Sequence, residues 1–155
     1  MTPTDILRHC RLFELLSDEE IQVVANKVEE HHFRKGDYLC REGAWGDSMY
    51  IIGTGEMKVI KKLDIETNWE ITSLRHGDFF GEVALVDGSP RTASVVALTN
   101  STCLELFGRD FKMLISQGDK LANHMLEALL RTLINRIRAT DDVVTQIMVD
   151  KLKGE

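Results

Sequence analysis

The sequence has few cysteines and no long apolar run, and each shortage excludes a class of protein. Its three cysteines, Cys10, Cys40 and Cys103, are odd in number and far apart. This argues against a disulfide framework and a zinc site, and it indicates a reducing compartment. No apolar run approaches the ~18 residues of a membrane span, and the opening MTPTDILRHC lacks a basic segment followed by an apolar one. We therefore expect a cytoplasmic protein without a membrane span.

An excess of positive charge is also absent. The 19 Lys and Arg residues are outnumbered by 25 Asp and Glu residues, which gives a net charge of −6 at pH 7. Such a chain repels phosphate backbones, so we do not expect a general nucleic-acid binder, and any anionic ligand must be held by local donors. With 155 residues and no Pro- or Ser-rich linker, the chain is expected to form a single domain, residues 1–155, with a buried core.

The first part of the chain, residues 1–30, is predicted to be helical. Ser17 and Glu20 form a capping box, which is a sequence signal for the start of a helix. Apolar residues then recur at helical spacing, at Ile21, Val24 and Val28.

The middle part, residues 31–108, is predicted to form β-strands. It holds nine of the eleven glycines, separated by short runs of β-branched and aromatic residues. We predict six strands, at residues 38–41, 49–52, 56–61, 69–74, 92–97 and 102–106. Gly53-Thr54-Gly55 reads as a hairpin turn, because glycine reaches positive φ easily. Many short strands at this spacing indicate a sandwich, barrel or roll.

The last part, residues 109–152, is predicted to form a short helix and then a long helix from about Asp119 to Leu152. Seven residues of the long helix follow a heptad pattern, and we call them the heptad seam: Leu126, Leu130, Leu133, Ile137, Thr140, Val144 and Ile147. A helix about 50 Å long outruns a domain of this size. We expect homodimerisation through the seam, with the dyad near Leu133 and Ile137; the alternative is that the seam packs on its own β-domain.

Residues 77–95 hold the candidate ligand-binding chemistry. Gly81 and Glu82 open a short apolar segment that can form one helical turn, and a helix start suits an anion. Arg91 follows a tight turn, and its guanidinium matches the oxygens of a phosphate. Glu82 beside a phosphate would repel it unless the carboxylate accepts a hydrogen bond from a sugar hydroxyl. A surface salt bridge between Glu82 and Arg91 is the alternative.

This segment resembles the phosphate-binding cassette of the cyclic-nucleotide-binding domain family, which includes the catabolite activator and the regulatory subunits of protein kinase A. Residues 80–85 read Phe-Gly-Glu-Val-Ala-Leu and residues 90–95 read Pro-Arg-Thr-Ala-Ser-Val. Further matches are Gly36-Asp37, Glu42-Gly43 and residues 47–55. The resemblance covers roughly residues 10–140. It implies an α+β fold: an eight-stranded antiparallel β-roll, jelly-roll-like, flanked by N-terminal helices and a long C-terminal helix.

The resemblance also implies roles for individual residues. Glu82 would accept the ribose 2′-hydroxyl, Arg91 would pair with the cyclic phosphate, and Val83 would give the base an apolar wall. Backbone N–H groups would complete the phosphate cradle at Gly81, Ala84, Thr92 and Ala93. A lid over the base would come from the long helix, and the register leaves three candidates: Arg136, Thr140 and Asp141.

The implied function is that of a regulatory sensor that binds cAMP or cGMP without a metal and signals by movement of the C-terminal helix. Thr92 is compatible with both ligands, and we expect cAMP in preference to cGMP. Transcription-factor members carry a helix-turn-helix domain after the long helix, whereas this sequence ends at Glu155. The expected output is therefore a protein effector or a domain outside this chain, as in a truncated sensor of a transcription factor. A scaffold that binds no nucleotide is a second alternative.

An enzyme is not expected, because the sequence has no His-x-His…Glu…His set of the kind that a cupin-like metalloenzyme needs. His31 and His32 lie in a strand-like run and are interpreted as structural or surface residues. Trp45 is interpreted as an exposed loop residue that either meets a partner or packs on the roll.

Overall fold

Two four-stranded antiparallel sheets form the centre of the computed structural model, which describes residues 1–154. The strands are β1 (Glu29–Phe33), β2 (Tyr38–Cys40), β3 (Ser48–Thr54), β4 (Met57–Lys62), β5 (Asn68–Leu74), β6 (Phe79–Phe80), β7 (Ser94–Ala97) and β8 (Ser101–Phe107). One sheet has the order β1-β8-β3-β6 and the other β2-β7-β4-β5. The predicted α+β fold with an eight-stranded antiparallel roll is confirmed.

Helices flank the roll at both ends of the chain. They are α1 (Pro3–Arg8), α2 (Asp18–Ala25), α3 (Glu82–Asp87), α4 (Gly108–Ser116) and α5 (Lys120–Lys153), with a 3-10 helix at Arg11–Phe13. The predicted capping box of α2 is present: the Glu20 N–H donates to Ser17 Oγ at 3.2 Å, and the Ser17 N–H donates to Glu20 Oε2 at 2.9 Å. Within residues 1–154 no helix is both long and apolar enough to cross a membrane.

The predicted helical stretch of residues 1–30 is wrong at its end. Helix α2 stops at Ala25, and Glu29–Phe33 forms β1, with Glu29 opposite Glu105 of β8. Val28 continues the helical spacing but follows the helix and packs against the core from the connecting segment. Pairing with a strand far along the chain has overridden a local pattern.

The predicted hairpin at Gly53-Thr54-Gly55 is also wrong. The turn exists, and Gly55 has a φ of +86° as such a turn requires. However, β3 pairs with β6 and β8, whereas β4 pairs with β5 and β7. The glycines therefore carry the chain from one sheet to the other.

Strand β3 explains how the roll positions a binding site. Met49 and Ile51 point to a core shared with the helices, whereas Tyr50 and Ile52 point to a second core inside the roll. A strand buried on both faces reads as a continuous apolar run, and alternate residues serve different layers. Polar side chains on the inner face of this strand are therefore carried into the interior of the roll.

Helix α5 packs on the core mainly through its first three turns. Its N-cap Asp119 accepts from the Ala122 N–H at 3.1 Å, and the turns that follow are buried at Leu121, Met125 and Leu129. From Ile134 onward the described side chains of the helix are all exposed. Along the heptad seam, Leu133 packs partly on the core, and the other members are exposed: Leu126, Leu130, Ile137, Thr140, Val144 and Ile147.

Candidate ligand-binding site

The cassette is shaped by Gly81, which joins β6 to α3. Gly81 has a φ of +84°, a region that glycine enters without strain. A Cβ atom there would lie 2.8 Å from the Ser48 carbonyl oxygen and would overlap the guanidinium of Arg91. Glycine thus gives both the turn into α3 and the close approach of the cassette backbone to β3 and to Arg91.

Glu82, the first residue of α3, is a buried carboxylate. It is 1% exposed, and neither carboxylate oxygen has a hydrogen-bond partner of normal geometry within the described chain. Its charge is faced by Arg136 of α5, whose Nη1 contacts Glu82 Oε1. Burial lowers the pKa of Arg136, but a guanidinium remains charged at any physiological pH. The contact ties the cassette to the long helix.

Arg91 approaches the same region from the loop before β7. Its backbone is fixed at the Trp45 loop, where the Arg91 N–H donates to the Ala44 carbonyl at 2.8 Å. Its Nη2 donates to Ser48 Oγ at 3.2 Å, and its Nη1 is buried without a partner in the described chain. Ser48 of β3 therefore holds the Nη2 group of Arg91, while the Nη1 group remains available to donate to a ligand.

A cavity of about 340 Å³ lies between the cassette, the second sheet and α5. Its polar lining includes Arg91, Thr92 and Arg136, and its walls are largely apolar, at Cys40, Val59, Ile71, Leu74, Phe79, Phe80 and Val95. A largely apolar cavity with a few convergent charged groups is the usual form of a small-molecule site. Arg91 offers a site for an anion, and the buried Glu82 beside Arg136 offers an acceptor for a hydroxyl.

The structure brings together most of the residues assigned to the ligand. Gly81, Arg91, Thr92 and Ala93 line the cavity, whereas Glu82 does not line it but contacts Arg136, which does. Ala84 is buried, and its N–H donates to the Gly81 carbonyl at 3.1 Å.

Other assigned residues lie outside the cavity. Within residues 1–154 its lining does not include Val83, Thr140 or Asp141. Val83 is 48% exposed, and Thr140 uses its hydroxyl to donate to the Arg136 carbonyl along the helix at 2.9 Å. Of the three lid candidates, Arg136 is the one that reaches the cavity.

Sequence reasoning missed a polar cluster beside Arg91. Ser48 and Glu105 are buried on neighbouring strands, and Ser48 Oγ donates to Glu105 Oε1 at 2.5 Å. The strand-like run that holds His31 is β1. His31 Nε2 lies 2.8 Å from Glu105 Oε2, so the imidazole has a specific neighbour. The available signal was a single carboxylate in the apolar run Cys103-Leu-Glu-Leu.

Three potential metal ligands meet in the same cluster. Among the described residues, Glu29, His31 and Glu105 are the one group whose ligand atoms lie close enough to hold an ion, within 4.8 Å of one another. His31 Nε2 and Glu105 Oε2 lie 2.8 Å apart, in direct contact but without the alignment of a hydrogen bond.

Comparison with known proteins gives a family match over the roll. The family model described as "Cyclic nucleotide-binding domain" matches residues 30–118. The chain is 35% identical over 121 residues to a Drosophila melanogaster cGMP-dependent protein kinase, isozyme 2 forms cD5/T2, which covers 76% of this chain and 13% of the kinase. It is 40% identical over 110 residues to a cAMP-dependent protein kinase regulatory subunit of Aspergillus fumigatus, covering 70% of this chain and 26% of that subunit.

The fold is also similar to solved structures. The N-terminal domain of a transcriptional regulator from Streptomyces coelicolor A3(2) matches with a TM-score of 0.78 and 29% identity, over 90% of this chain and 95% of that chain. By contrast, the chain spans about an eighth of the fruit-fly kinase and a quarter of the fungal subunit, 13% and 26% respectively. The similarity to these two longer proteins is thus confined to one segment of each, over alignments of 121 and 110 residues respectively.

Proposed function

This chain belongs to the cyclic nucleotide-binding domain family, and we propose that it binds cAMP, in preference to cGMP, in the cavity beside Glu82 and Arg91. The observation that carries the proposal is a buried carboxylate and a partly buried guanidinium, each with hydrogen-bonding capacity to spare. Arg136 contacts Glu82 Oε1, whereas Glu82 Oε2 and Arg91 Nη1 lack hydrogen-bond partners in the described chain, and buried polar groups are normally paired. A cyclic nucleotide carries a hydroxyl donor and an anionic phosphate on one rigid ring system, which suits both groups.

In the proposed mechanism Arg91 donates to the phosphate, and Glu82 accepts a hydrogen bond from the ribose hydroxyl. The backbone of Gly81, Thr92 and Ala93 at the cavity would complete the phosphate site, whereas the Ala84 N–H already donates to the Gly81 carbonyl. The apolar walls contact the base, and Thr92 adds a hydroxyl at the same cavity. We propose no catalytic step for this chain.

Signalling is proposed to begin at the contact between Glu82 and Arg136. The ribose hydroxyl and the guanidinium compete for the same carboxylate, so ligand binding changes the position that Arg136 prefers. Arg136 lies on the part of α5 whose side chains are exposed, which leaves that part free to move. Binding then shifts the populations of two helix positions by the difference in ligand affinity between them.

Calorimetry with cAMP and with cGMP tests the binding proposal. We expect wild type to bind, with cAMP tighter, and Arg91→Ala to lose about a hundredfold in affinity, because a buried charge pair loses one partner. Arg34→Ala removes the same charge from an exposed loop and should bind as wild type does. Failure of wild type to bind either nucleotide would reject the function in favour of a scaffold role. Equal binding by wild type and Arg91→Ala would reject the role of Arg91.

We further propose that the chain forms a homodimer through the exposed heptad seam, and that the protein acts in the cytoplasm on a protein effector or an attached domain. The seam is supported by its exposure: Leu130 is 59% exposed on a turn whose opposite face packs on the core, and Ile137 is 62% exposed beyond the packed turns. Ile137→Lys should convert the dimer to a monomer in light scattering coupled to size exclusion. Asn135→Lys adds the same charge off the seam and should leave the dimer intact. A monomeric wild type would contradict this part of the proposal.

A further inference from the structure

A buried carboxylate lies behind Arg91 and belongs to none of the proposed ligand contacts. The side chain of Glu105 is 9% exposed, on the inner face of β8. Its Oε1 accepts a hydrogen bond from Ser48 Oγ at 2.5 Å, and its Oε2 lies 2.8 Å from His31 Nε2. Burying a carboxylate in a roll is unfavourable unless it is paired, so its partners are what keep it there.

The hydroxyl of Ser48 links this carboxylate to Arg91. A hydroxyl has one proton to donate and lone pairs that accept. Because the Ser48 proton is donated to Glu105, a lone pair of the same oxygen accepts from Arg91 Nη2 at 3.2 Å. Donation to a carboxylate also polarises the hydroxyl and makes its oxygen a better acceptor. Glu105 thereby fixes the direction in which Ser48 holds the guanidinium.

Ser48 is the neighbour of Glu105 that also hydrogen-bonds to Arg91. Tyr50 also faces this pair, with hydrogen bonds to Glu105 and Ser48; burial, and after it the charge of Glu105, raise the pKa of Tyr50, so this phenol stays neutral. His31 faces Glu105 from β1 on the side away from the cassette, with Glu29 3.9 Å from its Nε2. The Arg91 guanidinium sits 6.0 Å from the Tyr50 ring and is the cation on the cavity side of the cluster.

We infer that Glu105 is a positioning residue for phosphate recognition: acting through the Ser48 hydroxyl, it orients Arg91 so that Nη1 is presented to the cyclic phosphate. This inference rests on the proposed function and extends it to residues of the first sheet. Neither Glu105 nor Ser48 contacts the ligand in this arrangement. Their effect on affinity must therefore pass through Arg91 and vanish when Arg91 is removed.

The test is a double-mutant cycle measured by calorimetry with cAMP as the probe. Ser48→Ala and Glu105→Gln should each weaken cAMP binding by about tenfold, the size expected when a charged group loses a hydrogen bond. In an Arg91→Ala background, measured at raised protein concentration, each should change affinity by less than about twofold. Ser48→Thr keeps the hydroxyl and should return affinity to within about threefold of wild type.

Ser101→Ala is the matched control, because Ser101 is equally buried on β8 but donates its hydroxyl to the Thr99 carbonyl at 2.8 Å, outside the cluster. It should bind cAMP as wild type does. If thermal melting shows that Glu105→Gln does not fold, the Ser48→Ala and Ser48→Thr variants test the inference without it. Equal losses with and without Arg91, or no loss, would overturn the inference while leaving the proposed function standing. A wild type that binds neither nucleotide would overturn both.

Discussion

Replacing Arg136 by Met tests how strongly the long helix is tied to the cassette. Glu82 is 1% exposed, and Arg136 is the cation that contacts it. Removing one partner of a fully buried pair costs about 3–5 kcal/mol, because a charge remains in a low-dielectric site. The Arg136 side chain is 52% exposed, so solvent screens the pair and allows Glu82 some hydration. We therefore expect Arg136→Met to reduce the free energy of unfolding by about 1–2 kcal/mol.

Urea unfolding and thermal melting measure this loss. For a domain of this size, 1–2 kcal/mol corresponds to a fall in melting temperature of about 2–8 °C. Arg138→Met is the control, since Arg138 is exposed two residues further along α5 and should give almost no change. Glu82→Gln removes the buried charge, so adding Arg136→Met to it should cost much less than it costs wild type. A stability loss equal in both backgrounds, or none in wild type, would refute the argument that this ion pair holds α5 to the cassette.

Three further predictions concern backbone strain, thiol reactivity and pH. Gly81→Ala should weaken cAMP binding and lower the melting temperature, because a Cβ overlaps the Arg91 side chain at a φ of +84°; unchanged calorimetry and melting would contradict this. Cys10 and Cys103 are buried and burial raises the pKa of each to about 12, whereas Cys40 is partly exposed at the cavity, so a maleimide should label Cys40 first by mass spectrometry, and bound cAMP should slow that labelling. Hydrogen bonds from Thr2 hold the pKa of Asp5 below 3.8, so the stability that Asp5 adds is present above pH 3.8 and is lost as the pH falls through its folded value. Thr2→Ala should thus destabilise the protein to urea near neutral pH, and the deficit should shrink in acid.

The cassette was the part of the molecule most predictable from sequence, because its determinants are local. Gly81, Glu82 and Arg91 lie within eleven consecutive residues, and the turn, the short helix and the return to a strand each depend on neighbours in the chain. The start of α2 was predictable for the same reason, since Ser17 and Glu20 are three residues apart. Local chemistry decides where such elements begin, whatever the rest of the fold does.

Strand pairing was less predictable, because it is decided across the whole chain. Strand β1 reads Glu-Glu-His-His-Phe and lacks the alternation of a half-buried strand, yet its pairing with β8 keeps it extended. Strand β6 is two residues long and carries no periodicity at all. The turn at Gly55 shows the same limit, since its backbone geometry was predictable whereas the sheet that each flanking strand joins was not.

The polar cluster behind Arg91 depends on register as well as pairing. Tyr50 lies opposite Glu105, and Ser48 lies opposite Phe107, so a shift of one residue would turn Glu105 toward the helices and away from Ser48. The carboxylate in an apolar strand was visible in the sequence, but its partner was 57 residues away along the chain. Only the folded sheet identifies which hydroxyl it binds.

The two charged ends of the cavity are supported by different parts of the fold, and this division bears on how the domain would signal. Arg91 is held by Ser48 and Glu105, which belong to central strands of the first sheet. Glu82 is held by Arg136, on a stretch of helix whose side chains are otherwise exposed. A ligand that engaged both ends would meet a rigid partner at its phosphate and a movable one at its ribose. In the proposed function the phosphate therefore fixes the ligand to the roll, and binding of the sugar hydroxyl to Glu82 is the event that can move α5.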